Sequence, residues 1–96
     1  MKKMINNQIS IEKDLHTKHY PNGQLAVYVN DYNGEPIAEL SIMNDLVNLA
    51  PNEFILKDYS ENKELAQELL DSNLFVPTNQ FILIGSRLCP VCQINS

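Results

Sequence analysis

Residues 23–43 read GQLAVYVNDYNGEPIAELSIM. Leu25, Val27 and Val29 alternate with Ala26, Tyr28 and Asn30. That period of two marks a strand with one buried face. Asn33-Gly34 supplies the positive-φ chemistry of a tight turn. Pro36 suits a strand start, where no ladder donor is needed. Ala38, Leu40 and Ile42 then resume the alternation. The stretch predicts a β-hairpin over 24–31 and 36–43.

Downstream, NDLVNLAPNE reads as a loop with room for one helical turn at Asp45–Leu49, stopped by Pro51-Asn52. Glu53–Asp58 predicts a short strand around the β-favouring Phe54 and Ile55. A helix follows over about 60–73. Ser60 is read as its N-cap, and Glu61 and Glu64 fall where carboxylates meet the positive end of the dipole. Leu65, Ala66, Leu69, Leu70 and Leu74 fill one side. Ser72-Asn73 ends it, with Pro77 just beyond. Phe81–Ile84 is a continuous apolar run, which predicts a strand covered on both faces. Gly85-Ser86 is a turn or bulge, and Arg87–Ile94 a strand or a knuckle around Pro90. Upstream, Ile9, Ile11 and Leu15 are read as a short strand or loop lead-in, and residues 1–8 as frayed. The expected fold is α+β: one domain over residues 1–96, a small antiparallel sheet with the helix on one face.

The chain has 96 residues, 44% of them hydrophobic, and a net charge of −5. Residues 1–20 are basic and the remainder strongly acidic. Such a body is a poor ligand for phosphate backbones, because nucleic-acid binding relies on Lys and Arg displacing counterions. It suits a basic protein partner, or solubility alone. The opening MKKMINNQIS has no apolar run behind its lysines and does not read as a secretory signal. No stretch reaches membrane-spanning length. The expected location is the cytoplasm, of the producing cell or of a host cell.

The cysteines and histidines fall into two pairs. Cys89 and Cys92 form C-x-x-C near one end, and His16 and His19 form H-x-x-H near the other. Zinc prefers four thiolate and imidazole ligands in a tetrahedron. The two pairs use the whole Cys and His inventory and would complete one Cys2His2 site. Structural zinc contributes on the order of 10 kcal/mol to folding in peptides. The expectation is a structural zinc clasp between the N- and C-terminal segments. Against it, cysteines are often small buried apolar residues, and in an uninterrupted strand Cys89 and Cys92 would face apart. Thiol-based redox chemistry is the alternative, though too few residues follow Cys92 for the helix that lowers a thiol pKa.

Glu61, Glu64, Glu68 and Asp71 share the outer face of the helix. Like charges at i,i+4 repel, and no Lys or Arg on that face balances them. They are the expected partner-binding residues, with an ordinary solvated face as the other reading. Tyr28, Tyr32 and Tyr59 are further candidates as interface anchors. No glycine-rich phosphate loop and no nucleophile motif occurs, so the chain does not read as an enzyme.

Tyr20, Asn22, Gly23, Leu25, Ala26 and Val27, then Gly34, Glu35, Pro36, Ala38, Leu40 and Ser41, then Asn52, Glu53, Asp58 and Ser60 carry a resemblance. Pro90-Val91 adds a less distinctive strand. Over about residues 20–94 the chain resembles a family of small bacterial proteins carried on conjugative elements and phages. Most of these are turn and strand residues, which speak to a fold rather than a site. The resemblance implies a mobile-element accessory role. Some small acidic proteins of such elements are similar to anti-CRISPR proteins, which block the RNA-guided nuclease of type II CRISPR systems. That nuclease holds its nucleic acids in positively charged channels, which an acidic body fits. The histidines and cysteines are not part of the family pattern. The resulting expectation is a non-enzymatic inhibitor, monomer or weak homodimer, with a metal-free regulatory adaptor as a further alternative.

Overall fold

In the computed structural model the described residues are 15–30 and 33–94. They form β1 (Leu15–His19), β2 (Leu25–Asn30), β3 (Pro36–Glu39), β4 (Ser41–Ile42), β5 (Glu53–Leu56), a 3-10 turn (Ser60–Asn62), α1 (Lys63–Asp71), β6 (Phe75–Ile84) and β7 (Arg87–Ile94). The α+β class is as expected. The strands make two antiparallel sheets rather than one, in the orders β1-β2-β3 and β4-β5-β7-β6. Residues 1–8, Ile9, Ile11 and Tyr32 lie outside the described residues.

The hairpin read from residues 23–43 is present in its first half. Tyr28 pairs with Glu39 and Val29 with Ala38. The return strand then bends at Leu40, and Ser41 and Ile42 pair with Leu56 and Ile55 of the second sheet. Leu40 is the joint. Its amide donates to the Val27 carbonyl at 2.8 Å, and its carbonyl accepts from the Lys57 amide at 2.7 Å. Alternation of apolar residues continues through such a bend, so the pattern alone reads as one straight strand.

Two buried polar side chains hold this joint. The Ser41 hydroxyl accepts from the Val27 amide at 2.9 Å and lies 2.7 Å from the Tyr20 hydroxyl. Asn62 is buried, and its side-chain amide donates to the Glu39 carbonyl at 2.8 Å and the Lys57 carbonyl at 3.1 Å. Buried polar groups so matched avoid the penalty of an unmade bond.

The core lies between the sheets and α1. Leu25, Val27 and Val29 meet Phe54, Phe75 and Cys92, with Ala66 and Leu69 closing from the helix. The Phe54 and Phe75 rings pack edge to face, 5.2 Å between centroids. A smaller cluster of Ile55, Cys89 and Val91 occupies the other face of the second sheet, beneath Val47, Leu49 and Tyr59.

Four local expectations change. Asp45–Leu49 holds a turn and no helix, and the strand at Glu53 stops at Leu56. Ser60 is not a cap. It opens the 3-10 turn at φ 56°, and α1 starts at Lys63 with no side-chain cap, because Asn62 is turned inward to the joint. The helix does end at Ser72-Asn73, where Asn73 takes a left-handed φ of 61° suited to a C-terminal cap. Phe81–Ile84 is not covered on both faces: Phe81 is 59% and Leu83 63% exposed, while Ile82 and Ile84 pack on the smaller cluster. An apolar run says which side chains disfavour water, not which neighbours will cover them.

Candidate functional site

β7 settles the cysteines. It runs without interruption through Pro90, so Cys89 and Cys92 face opposite sides. Cys89 belongs to the smaller cluster and Cys92 to the main core, and both are fully buried free thiols. Three strand steps put their Cα atoms about 10 Å apart, too far for a disulfide. Burial pushes the Cys92 thiol up to about 12, with Asp58 adding to it. Cys89 is raised for the same two reasons, with Arg87 acting the other way. A nucleophilic or redox thiol needs the opposite shift.

The histidines are equally divided. They lie on β1, where His16 pairs with Tyr28 and His19 with Leu25, both at exposed positions. The His16 ring stacks on Tyr28 at 5.7 Å and 23°. Among the described residues, no three His, Cys, Asp or Glu side chains gather where a metal could be held. The clasp expected from His16, His19, Cys89 and Cys92 is therefore unsupported. Two strand-borne pairs at i,i+3 each splay to opposite faces, and they sit in different sheets.

The acidic residues are placed as the helix period requires. Glu64, Glu68 and Asp71 occupy the outer side of α1, opposite Ala66 and Leu69, and Glu61 precedes them on the 3-10 turn. The face is not free of cations. Lys57 Nζ lies 3.5 Å from Glu61 Oε2 in an exposed pair four residues apart across a strand end. The Glu61 carboxyl sits below the usual carboxylate range, through its own backbone amide first and Lys57 second. Gln67 donates to Asp71 at 3.0 Å.

A groove of about 410 Å³ opens on the outer face of the first sheet. Tyr28 floors it, with Lys18, Tyr20, Ile37, Glu39 and Glu61 around the rim. Lys18 Nζ stands 5.2 Å over the Tyr28 ring. The Tyr20 hydroxyl donates to Glu39 and is held by burial and that bond at a pKa of about 12. Sequence reasoning named Tyr28 but missed the groove. The period-two pattern puts Lys18, Ala26, Tyr28 and Glu39 on one face once the register is known, and the register comes only from pairing. The other described aromatic candidate, Tyr59, is half-buried with the Arg87 guanidinium 4.4 Å above its ring.

Compared with known proteins, the chain matches no family model, no curated protein and no solved structure. No described helix is long and apolar enough to cross a membrane.

Proposed function

We propose that the protein is a non-enzymatic inhibitor that docks its acidic surface on a basic protein partner. The observation that carries this is the double placement of Glu61. It is the first of the four acids, on the 3-10 turn that leads into α1, and it also lines the Tyr28 groove beside Glu39. An acidic stripe and an aromatic groove thus share a border. A partner's Arg or Lys side chain entering the groove would take the place of Lys18 over the Tyr28 ring and meet the carboxylates of Glu39 and Glu61, which is how cations are held by mixed aromatic and acidic sites. The groove volume lies at the lower end of the range of small-molecule sites, which leaves room for a single side chain. Glu64, Glu68 and Asp71 would steer the encounter, acting more on association rate than on final affinity.

The RNA-guided nuclease of type II CRISPR systems is the partner that the resemblance to mobile-element proteins implies. Its positively charged channels suit the chain's net charge of −5. Cleavage by the purified nuclease is expected to fall as the protein is added. The double variant Glu64→Lys, Glu68→Lys is expected to slow association at low salt, and Tyr28→Ala to speed dissociation. Undiminished cleavage and no detectable complex at a large excess would refute the inhibitor reading.

A further inference from the structure

The outer edge of β6 is built unevenly. Among the described residues β6 is the last strand of its sheet, and no strand pairs with its far side. Natural sheets protect such edges with proline, bulges or charge. The first half of β6 has these devices: Pro77, and a bulge at Thr78-Asn79 where Asn79 takes φ 72°. The second half, Phe81–Ile84, has none. By comparison, β1, an edge strand of the first sheet, carries Lys18 and two histidines.

Pairing parity fixes which backbone groups face outward. The two-residue Gly85-Ser86 turn makes Ile84 and Arg87 a hydrogen-bonded pair, so Ile82 with Cys89 and Gln80 with Val91 are hydrogen-bonded too. Independent bonds agree. The Val91 carbonyl accepts from Thr78 on the β6 side, and the Ile94 amide donates to Asn52 on the β5 side. Phe81 and Leu83 therefore direct both their amides and their carbonyls away from β7, to the open edge. Pro90 has its missing donor on the β5 side, where the β5–β7 ladder has already ended at Ile55 and Val91.

We propose that this edge is a homodimer interface in which Phe81–Ile84 pairs antiparallel with the same segment of a second copy, about a two-fold axis at Ile82. That register sets Phe81 opposite Leu83 of the other copy, the only two residue types that offer free donors and acceptors there. It forms four backbone hydrogen bonds and joins the two four-stranded sheets into one. No charged residue lies in the paired segment, so the acidic chains bring no like charges together at the axis. Phe81, Leu83 and Leu88 are 59%, 63% and 62% exposed and lie on one face of the hairpin, so two copies align them as one strip across the axis. Each exposes roughly 100 Å² of apolar surface. The sum is well short of the about 800 Å² per partner of a standard interface. The dimer is accordingly of the weak, transient class and is populated only at high protein concentration.

The test is sedimentation and hydrogen exchange of the full chain over a wide concentration range. The expected result is a reversible monomer–dimer equilibrium in which the Phe81 and Leu83 amides gain protection as concentration rises. Leu83→Pro removes an outward donor while leaving the donors of the β6–β7 ladder in place, and is expected to abolish dimerisation at an unchanged circular dichroism spectrum. Leu83→Lys places a charge at the edge, should do the same, and keeps the backbone intact if the proline variant does not fold. A monomer at every concentration up to millimolar, or a dimer unaffected in a folded Leu83 variant, overturns the proposal. Protection of Phe81 and Leu83 that is independent of concentration also overturns it, by assigning the edge to another segment of the same chain.

Discussion

The hydroxyl of Tyr20 sits 2.7 Å from that of Ser41, at the point where the chain passes from the first sheet to the second. The same phenol reaches the Ser41 carbonyl at 3.1 Å and the Glu39 carboxylate. Tyr20→Phe leaves the ring and removes these bonds. It is expected to cost about 1–2 kcal/mol, read from urea denaturation midpoints.

The same phenol gives the stability an alkaline limit. Burial, then the Glu39 bond, raises its pKa to about 12 from an ordinary value of 10.0. A raised pKa means that the folded state holds its proton longer, so the stabilisation is complete below pH 10 and disappears as pH rises through 12. Phenolate absorbance should show a late titration step that belongs to Tyr20. In Tyr20→Phe that late step should be missing and the pH dependence between 10 and 12 flatter.

The thiols should behave as core residues. Neither Cys89 nor Cys92 is expected to react with a disulfide reagent at neutral pH until the protein unfolds, since both are buried with raised pKa values. Cys92→Ser puts a hydroxyl among Phe54, Phe75 and Leu69 and should cost about 1–3 kcal/mol. A chelator is expected to leave the melting temperature unchanged, and a fall of several degrees would restore the zinc clasp.

Asn62 is the most exacting polar position. Its side chain serves two carbonyls from different segments, Glu39 and Lys57. Asn62→Ala is expected to lose about 1–3 kcal/mol by leaving both without a donor. Asn62→Asp turns an acceptor toward two acceptors, so its carboxyl should titrate above the unfolded value. Such a variant keeps its stability at low pH and loses it as pH rises through the folded pKa. Denaturation at pH 4 and pH 7 distinguishes the two substitutions.

By contrast, the exposed Lys57–Glu61 pair should matter little to folding. Side-chain entropy and solvent screening consume most of such an attraction. Glu61→Gln is expected to leave the denaturation midpoint unmoved in moderate salt. Any loss of partner binding in that variant then reports on the surface and not on the fold.

Much of the secondary structure was legible because it depends on local period and turn chemistry. The β2–β3 turn, the β5 strand, the Leu-lined side of α1 and the stop at Asn73 all follow from short windows of sequence. The N-terminus of α1 did not, because Ser60 has the right chemistry for a cap while Asn62 is drawn inward by carbonyls more than four residues away. The N-terminal half of β6 was hidden by Pro77 and Asn79, which argue against a strand unless a bulge absorbs them. The metal reading finds no support for a reason of periodicity: C-x-x-C converges on a turn but diverges on a strand, and Pro90 is compatible with both.

The sequence by itself determined which side chains disfavour water, most of the strands and the apolar side of the helix, and the acidic charge of the chain. These are properties of side chains and of their immediate neighbours. Only the tertiary structure decided where the strand from Pro36 bends into a second sheet, which face of β6 goes uncovered, and that Glu61 borders the Tyr28 groove. Each of those depends on pairing register and on contacts between segments far apart in the chain, and hydrogen-bond parity across such pairs has no trace in local composition.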